Sequence, residues 1–218
     1  MLLTRYGWQQ WVTITVLVAL PSAFAFWMHW WVVLGILVVL WLAMVSFFRD
    51  PWRNVPNDLP VGTMLSPADG VVSEIEYVEN HEATGESSVI IRIFLSVLNV
   101  HINRAPCDCK VKKLIYREGK FLDARTKESA KVNESNLLIL DTGEDTIGVR
   151  QVSGKLARHI VCPLNSGDVL RQGQRFGMIK YGSTTELILP RPEAVTVQVT
   201  TGDRVRAGIT QIAVLAGS

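Results

Sequence analysis

Residues 175–189 read RFGMIKYGSTTELIL. From 179 to 189 β-branched and apolar residues dominate, the composition of a strand, yet Gly182-Ser183 sits inside the run. A glycine within a strand pattern marks strain or a close backbone approach. Outward from this stretch, short β-branched runs recur at 71–78, 89–95, 137–140, 147–152, 195–199 and 212–215, separated by Gly, Asp, Asn or Pro clusters. The expectation is a mainly β domain, a sandwich or partly closed barrel. One polar stretch, 122–132, is a helical candidate that reads equally as a surface loop.

An internal echo refines this. Gly167-Asp168-Val169 followed by Gly173 recurs as Gly202-Asp203-Arg204-Val205 followed by Gly208. Each copy is a Gly-Asp turn that feeds a short strand ending at a second glycine, where positive φ is cheap. The pattern resembles the turns of lipoyl-like and phosphocarrier-like folds, so duplicated barrel-sandwich-like elements are expected.

The 218 residues are 48% apolar with a formal charge of +2. That suits one domain with its own core plus an appendage, and it offers no clustered basic excess for nucleic acid. Cys107, Cys109 and Cys162 are odd in number, and one residue between the first two is shorter than zinc-ligand spacing. They are expected to be reduced structural thiols, with no metal.

Residues 1–50 differ in kind. Apolar residues dominate 11–26, which contains Pro21, and again 30–48, a run free of charge up to its end and long enough to cross a bilayer. With the polar break at Met28-His29, a transmembrane helical hairpin is expected, His29 serving as a turn residue. Arg5 before the hairpin and Arg49 and Arg53 after it put both flanks, and the domain beyond, on the cytoplasmic side of the inner membrane. Ala23-Phe24-Ala25 has the form of a signal cleavage site, but the longer apolar run that follows would still hold the chain. Asn54, Pro56, Asn57 and Pro60 break any helix, so 51–65 is read as a linker and 66–218 as the β-rich domain.

Three stretches carry candidate chemistry. SPADG at 66–70 has the residues of a plain turn, its Asp69 suited to bonding nearby amides. FLSVLNVHINRAP at 94–106 ends a strand and supplies His101, the best titratable candidate, beside Asn99, Asn103 and Arg104. At Gly182-Ser183 the missing side chain leaves the glycine carbonyl open to attack by the serine hydroxyl.

Taken in order, SPADG, FLSxxxVHxNRAP and RFGMIKYGST, preceded by Phe48-Arg49-Asp50-Pro51, resemble the short single-chain branch of the phosphatidylserine decarboxylase family. The resemblance implies a proenzyme that cuts itself between Gly182 and Ser183 into residues 1–182 and 183–218, which stay associated. Ser183 becomes a pyruvoyl group, the one cofactor implied. Through a Schiff base to that group, phosphatidylserine in the membrane is converted to phosphatidylethanolamine. The implied catalytic residues are Ser183, His101 for proton transfer, and Asp69 to orient or charge it. Longer bacterial forms carry a second histidine where this chain has Arg104, which is left as a candidate for the substrate carboxylate or phosphate, or as an ordinary charge. A homodimer is compatible with the resemblance, and no residue argues for it.

His81 and His159 match no motif. Lys110, Lys112 and Lys113, with Arg49 and Arg53, could face anionic lipid or simply form a solvated edge. Two rivals remain at this point. One is a non-enzymatic, carrier-type barrel-sandwich protein on the same anchor, which would stay uncut. The other is a pyruvoyl decarboxylase of another serine lipid, such as archaetidylserine.

Overall fold

The computed structural model describes residues 2–123, 125–126, 128–154, 159–180 and 183–217. The chain divides into two compact units, Met1–Trp52 and Arg53–Ser218.

In the first unit, β1 (Leu2–Leu3) precedes helices α1 (Trp8–Trp27) and α2 (Trp31–Ser46), and β2 (Arg49–Asp50) pairs antiparallel with β1. His29 makes the turn in the left-handed region, φ 58°, as its position at the polar break suggested. The Trp41 indole donates to Thr15 Oγ at 3.0 Å and ties the helices together. Large apolar side chains such as Leu17 and Leu20 on α1 and Val32 and Val39 on α2 remain exposed, the surface a helix presents to lipid. Residues 5–27 are long and apolar enough to cross a membrane, whereas α2 is shorter. The sequence suggested the reverse order of length. The second run loses its end because Phe47 and Phe48 leave the helix, and the Phe48 ring packs where a side chain on Gly7 would stand.

The second unit is mainly β, as expected. Its elements are β3 (Thr63–Leu65), β4 (Gly70–Val78), β5 (Ser88–Leu95), β6 (Ile102–Arg104), β7 (Cys109–Arg117), α3 (Ser129–Val132), β8 (Ser135–Asp141), β9 (Thr146–Val152) and β10 (Ile160–Val161). Then come β11 (Val169–Leu170), β12 (Arg175–Ile179), β13 (Ser183–Pro190), β14 (Val195–Val197), β15 (Arg204–Val205) and β16 (Gln211–Leu215). A curled eight-stranded sheet runs in the order β11-β7-β8-β9-β13-β5-β4-β15, and β10-β12-β6 and β14-β16-β3 form two smaller sheets. All pairings between these strands are antiparallel.

Period-2 alternation decides what each strand buries. Leu138 and Leu140 on β8, Val149 on β9, Leu187 and Leu189 on β13, and Ile91, Ile93 and Leu95 on β5 share one face and join Phe176 and Ile212 in the main core. The opposite face carries Leu137, Ile188 and Ile90 in a smaller cluster.

The internal echo is a structural duplication. β11 and β15 are the two edges of the large sheet. Gly167 N–H donates to Val111 O and Gly202 N–H to Val72 O, while Gly173 N–H donates to Ala105 O and Gly208 N–H to Ser66 O. Gly167 and Gly202 take φ of 98° and 101°, values that only glycine adopts without strain.

Four features of this unit depart from expectation. Of the helical candidate 122–132, α3 alone is helical among the described residues. The stretch 179–189 is divided between β12 and β13, which belong to different sheets. Strand β7 went unread because Lys110, Lys112 and Lys113 interrupt its hydrophobic pattern; Lys110 and Lys112 alternate with buried Cys109 and Val111 before a bulge near Lys113. The second unit also begins ahead of residue 66, since β3 already pairs with β16.

Candidate active site

Ser183 is the first residue of β13 and pairs with Leu95 on β5. Because β13 lies between β9 and β5, the serine stands at an inner strand end and is fully buried. Its Oγ has no hydrogen-bond partner among the described residues. A buried hydroxyl normally finds one, so this oxygen is desolvated without being tied to an acceptor, which suits a nucleophile. Gly182, the other half of the expected cleavage site, lies outside the described residues.

One rung further along the sheet the same face is polar and fully bonded. Asn136, Gln151 and Thr185 are direct cross-strand neighbours. Asn136 Nδ2 donates to Gln151 Oε1 at 3.1 Å, and Gln151 Nε2 donates to Asn103 Oδ1 at 2.9 Å. Asn103, projecting from β6, donates to Thr185 Oγ at 3.0 Å and to the Pro67 carbonyl at 3.3 Å. Thus one amide joins the three stretches that carry candidate chemistry: its own, SPADG through Pro67, and β13 through the residue two positions after Ser183. The sequence names Asn103 only as a neighbour of His101, and does not point to Gln151 or Asn136. The available signal was their polar character at positions that alternate with core leucines and valines.

His101 immediately precedes β6 and is fully buried. Side chains two apart in an extended chain point the same way, so His101 shares the direction of Asn103. Its Nδ1 lies 2.9 Å from the Asn99 carbonyl, and its own carbonyl accepts from Ile179 N–H at the end of β12. A ring nitrogen against a carbonyl oxygen carries the proton, which leaves Nε2 as the basic nitrogen.

Asp69 precedes β4, two strands from β13 and roughly 10 Å across at the usual strand spacing. Its Oδ1 accepts from Ala207 N–H at 2.8 Å, and its Oδ2 pairs with Arg53 at 2.7 Å. The first contact belongs to the duplication, since Asp108 Oδ1 accepts from Gln172 N–H at 2.6 Å in the other copy. His101 and Asp69 therefore each have described partners other than one another. Arg53 spends its guanidinium on Asp69 and its side chain is 12% exposed, so it is no surface contact for lipid.

Arg104 at the end of β6 is buried and donates to the Gly173 carbonyl at 3.0 Å, while its own N–H donates to Pro67 O. Lys180 follows β12 and is buried, which holds its ammonium below the usual lysine range. His81 accepts the Ala83 N–H at Nδ1 and closes a local turn, and burial lowers its pKa. Cys107 and Cys109 are buried and unbridged; the hydrogen bond between the two thiols, then burial, pushes the Cys107 thiol up. Lys112 bonds Thr146 Oγ and lies 3.5 Å from Asp141, a solvated edge.

Comparison with known proteins is consistent across the chain. The phosphatidylserine decarboxylase family profile matches residues 40–213. A phosphatidylserine decarboxylase proenzyme of Carboxydothermus hydrogenoformans is 41% identical over 214 residues, covering 98% of this chain and 96% of the relative. Proteins of the same description from Rhodopirellula baltica and Chlorobium chlorochromatii are 42% and 40% identical, over 96% and 97% of this chain and 86% and 99% of theirs. The motifs, the duplicated β fold and these matches lead to one conclusion: the chain belongs to the phosphatidylserine decarboxylase family.

Proposed function

We propose that the chain is a membrane-anchored decarboxylase proenzyme that cuts itself between Gly182 and Ser183 and then converts phosphatidylserine to phosphatidylethanolamine. The observation that carries the reading is Ser183 Oγ, buried at the end of an inner strand with no partner among the described residues. A pyruvoyl group at this position fits, because the oxygen lost in forming it takes no described hydrogen bond with it. Such a group supplies a ketone that takes up the substrate amine and accepts the electrons left when carbon dioxide departs.

The side chains around it have separate tasks. His101, held through Nδ1 by the Asn99 carbonyl, moves protons at Nε2 during decarboxylation. Asp69 fixes the SPADG turn through Ala207 and Arg53, and that turn offers the Pro67 carbonyl to Asn103 and to the Arg104 N–H. The part of Asp69 in placing His101 is through that turn, which meets β6, the strand that follows His101, at Asn103 and Arg104. Arg104 supports this frame through Gly173 and Pro67 and is our candidate for the substrate carboxylate or phosphate. The apolar hairpin keeps the chain on the membrane that contains its lipid, with Arg5 and Arg49 favouring the cytoplasmic side.

The intact mass of the purified protein under denaturing conditions tests this directly. Two chains dividing at 182 and 183, the smaller one hydroxylamine-reactive at a blocked N-terminus, are expected. Ser183→Ala should stay whole and inactive, and His101→Ala should lose decarboxylation. One uncut wild-type chain in folded protein would instead favour the carrier-type alternative.

A further inference from the structure

Among the described residues three buried side-chain oxygens have no hydrogen-bond partner: Ser183 Oγ, Ser153 Oγ and Glu134 Oε2. They are neighbours in the sheet. β13 pairs with β9 through Thr184 and Val152, and β9 pairs with β8 through Val152 and Ser135. One more step in the same antiparallel register sets Ser183 beside Ser153, and Ser153 beside Glu134. The pairing does continue, because Ser153 N–H donates to the Glu134 carbonyl at 2.9 Å.

Directly opposed residues of an antiparallel pair point to the same face, with Cβ atoms about 5 Å apart. A hydroxyl, a second hydroxyl and a carboxylate thus form a row, at 0%, 0% and 6% exposure. The adjoining rung of Asn136, Gln151 and Thr185 is hydrogen-bonded within itself and to Asn103. The outer rung does not, and buried polar atoms left unpaired call for a functional account. Tyr116 hydroxyl donates to Glu134 Oε1 at 2.6 Å, which anchors one carboxylate oxygen and leaves Oε2 for the row. That bond pushes the phenol up to about 12, so Tyr116 remains a donor at neutral pH.

We propose that Ser153 and Glu134 receive the proton of Ser183 during self-cleavage, Ser153 as the relay and Glu134 as the group that accepts through it. This rests on the reading of Ser183 as the cleavage serine. In the step, Ser183 Oγ bonds to the Gly182 carbonyl carbon while its proton passes to Ser153 Oγ and the Ser153 proton passes to Glu134 Oε2. The carbon–nitrogen bond then breaks, and the proton returns by the same route to the departing Ser183 nitrogen. An amide has become an ester and an amine, with no net gain or loss of protons. His101 is left for the later chemistry on the substrate.

The test follows cleavage of freshly synthesised full-length chain by mass, as the appearance of residues 183–218. Ser153→Ala and Glu134→Gln should each slow cleavage by at least about 100-fold, the lower end of the range for loss of general-base assistance. Ser153→Thr, which keeps the hydroxyl, should stay within about threefold of wild type. In mixtures of light and heavy water the wild-type rate should fall along a curve, showing more than one proton in flight, and Ser153→Ala should give a straight line. The relay is overturned if Ser153→Ala or Glu134→Gln cleaves within threefold of wild type, or if Ser153→Thr is as slow as Ser153→Ala. Should a variant fail to fold, the wild-type isotope plot decides, a straight line overturning the relay. A wild-type chain that never cuts overturns the reading of Ser183 itself.

Discussion

At the residue scale the organising group is Asn103. Each of its polar atoms has a described partner, in Thr185, Pro67 and Gln151, and the residue is fully buried. Replacing it with leucine would take a partner from Gln151 Nε2 and from Thr185 Oγ, while the Pro67 carbonyl keeps the Arg104 N–H; the cost is about 1–3 kcal/mol for each group that cannot turn elsewhere. Asn103→Leu is therefore expected to lower stability by roughly 2–5 kcal/mol, read as a shift in urea midpoint at constant slope. A change below about 0.5 kcal/mol, the usual range for a harmless surface substitution, would mean that the amide does not hold the motifs together. Ser183 and His101 could be singled out from sequence because their chemistry is distinctive and their motifs are compact. Asn103 could not, since an amide has no reactivity to advertise and its three partners are 36, 48 and 82 positions away. Asp69 was legible as a turn residue, and its Ala207 contact has that character; its pairing with Arg53 was not.

At the scale of elements, the face of the large sheet away from the main core carries a row of alternating charge. Glu74 on β4, Arg92 on β5, Glu186 on β13 and Arg150 on β9 are consecutive cross-strand neighbours. Glu186 is fully buried and takes Arg92 Nε at 2.8 Å on one oxygen and Arg150 Nε at 2.7 Å on the other, while Arg92 also pairs with Glu74. Removing the central carboxylate takes from Arg150 its described ion pair and leaves Arg92 with the glutamates on β4. Glu186→Ala should cost about 3–5 kcal/mol, far more than an exposed pair, and denaturant melts of the Ser183→Ala background would measure it without interference from cleavage. A loss under 1 kcal/mol would show that the row behaves as surface charge. Sequence alternation exposed most of the strands, including the parity that puts Glu186 opposite Leu187. It failed where lysines on β7 interrupted the hydrophobic pattern, and where one apolar run served two sheets as β12 and β13.

At the scale of the whole molecule, the position of the cut relative to the sheet decides what cleavage does to stability. β13 begins at Ser183 and is buried throughout its eight residues, paired along its full length with β5 and along 184–188 with β9. Further on, β15 pairs with β4 and β16 with β3, so three of the four strands after the cut pair with strands before it, and the fourth, β14, pairs with β16. Leu187, Ile188 and Leu189 alone, each fully buried, contribute about 5–9 kcal/mol at 1.5–3 kcal/mol per side chain. The two pieces are thus expected to remain together in native buffer and to separate only when the β signal in circular dichroism is lost. Cleavage nonetheless changes the order of the unfolding reaction. The processed protein must release two chains, so its midpoint should rise with protein concentration by mass action, whereas uncut Ser183→Ala should melt at a midpoint independent of concentration. Melts of both forms in the same detergent over a hundredfold range of concentration distinguish the cases. A processed form with a fixed midpoint would mean that unfolding does not part the chains, and a piece that leaves in native buffer would mean that the strands across the cut do not hold it.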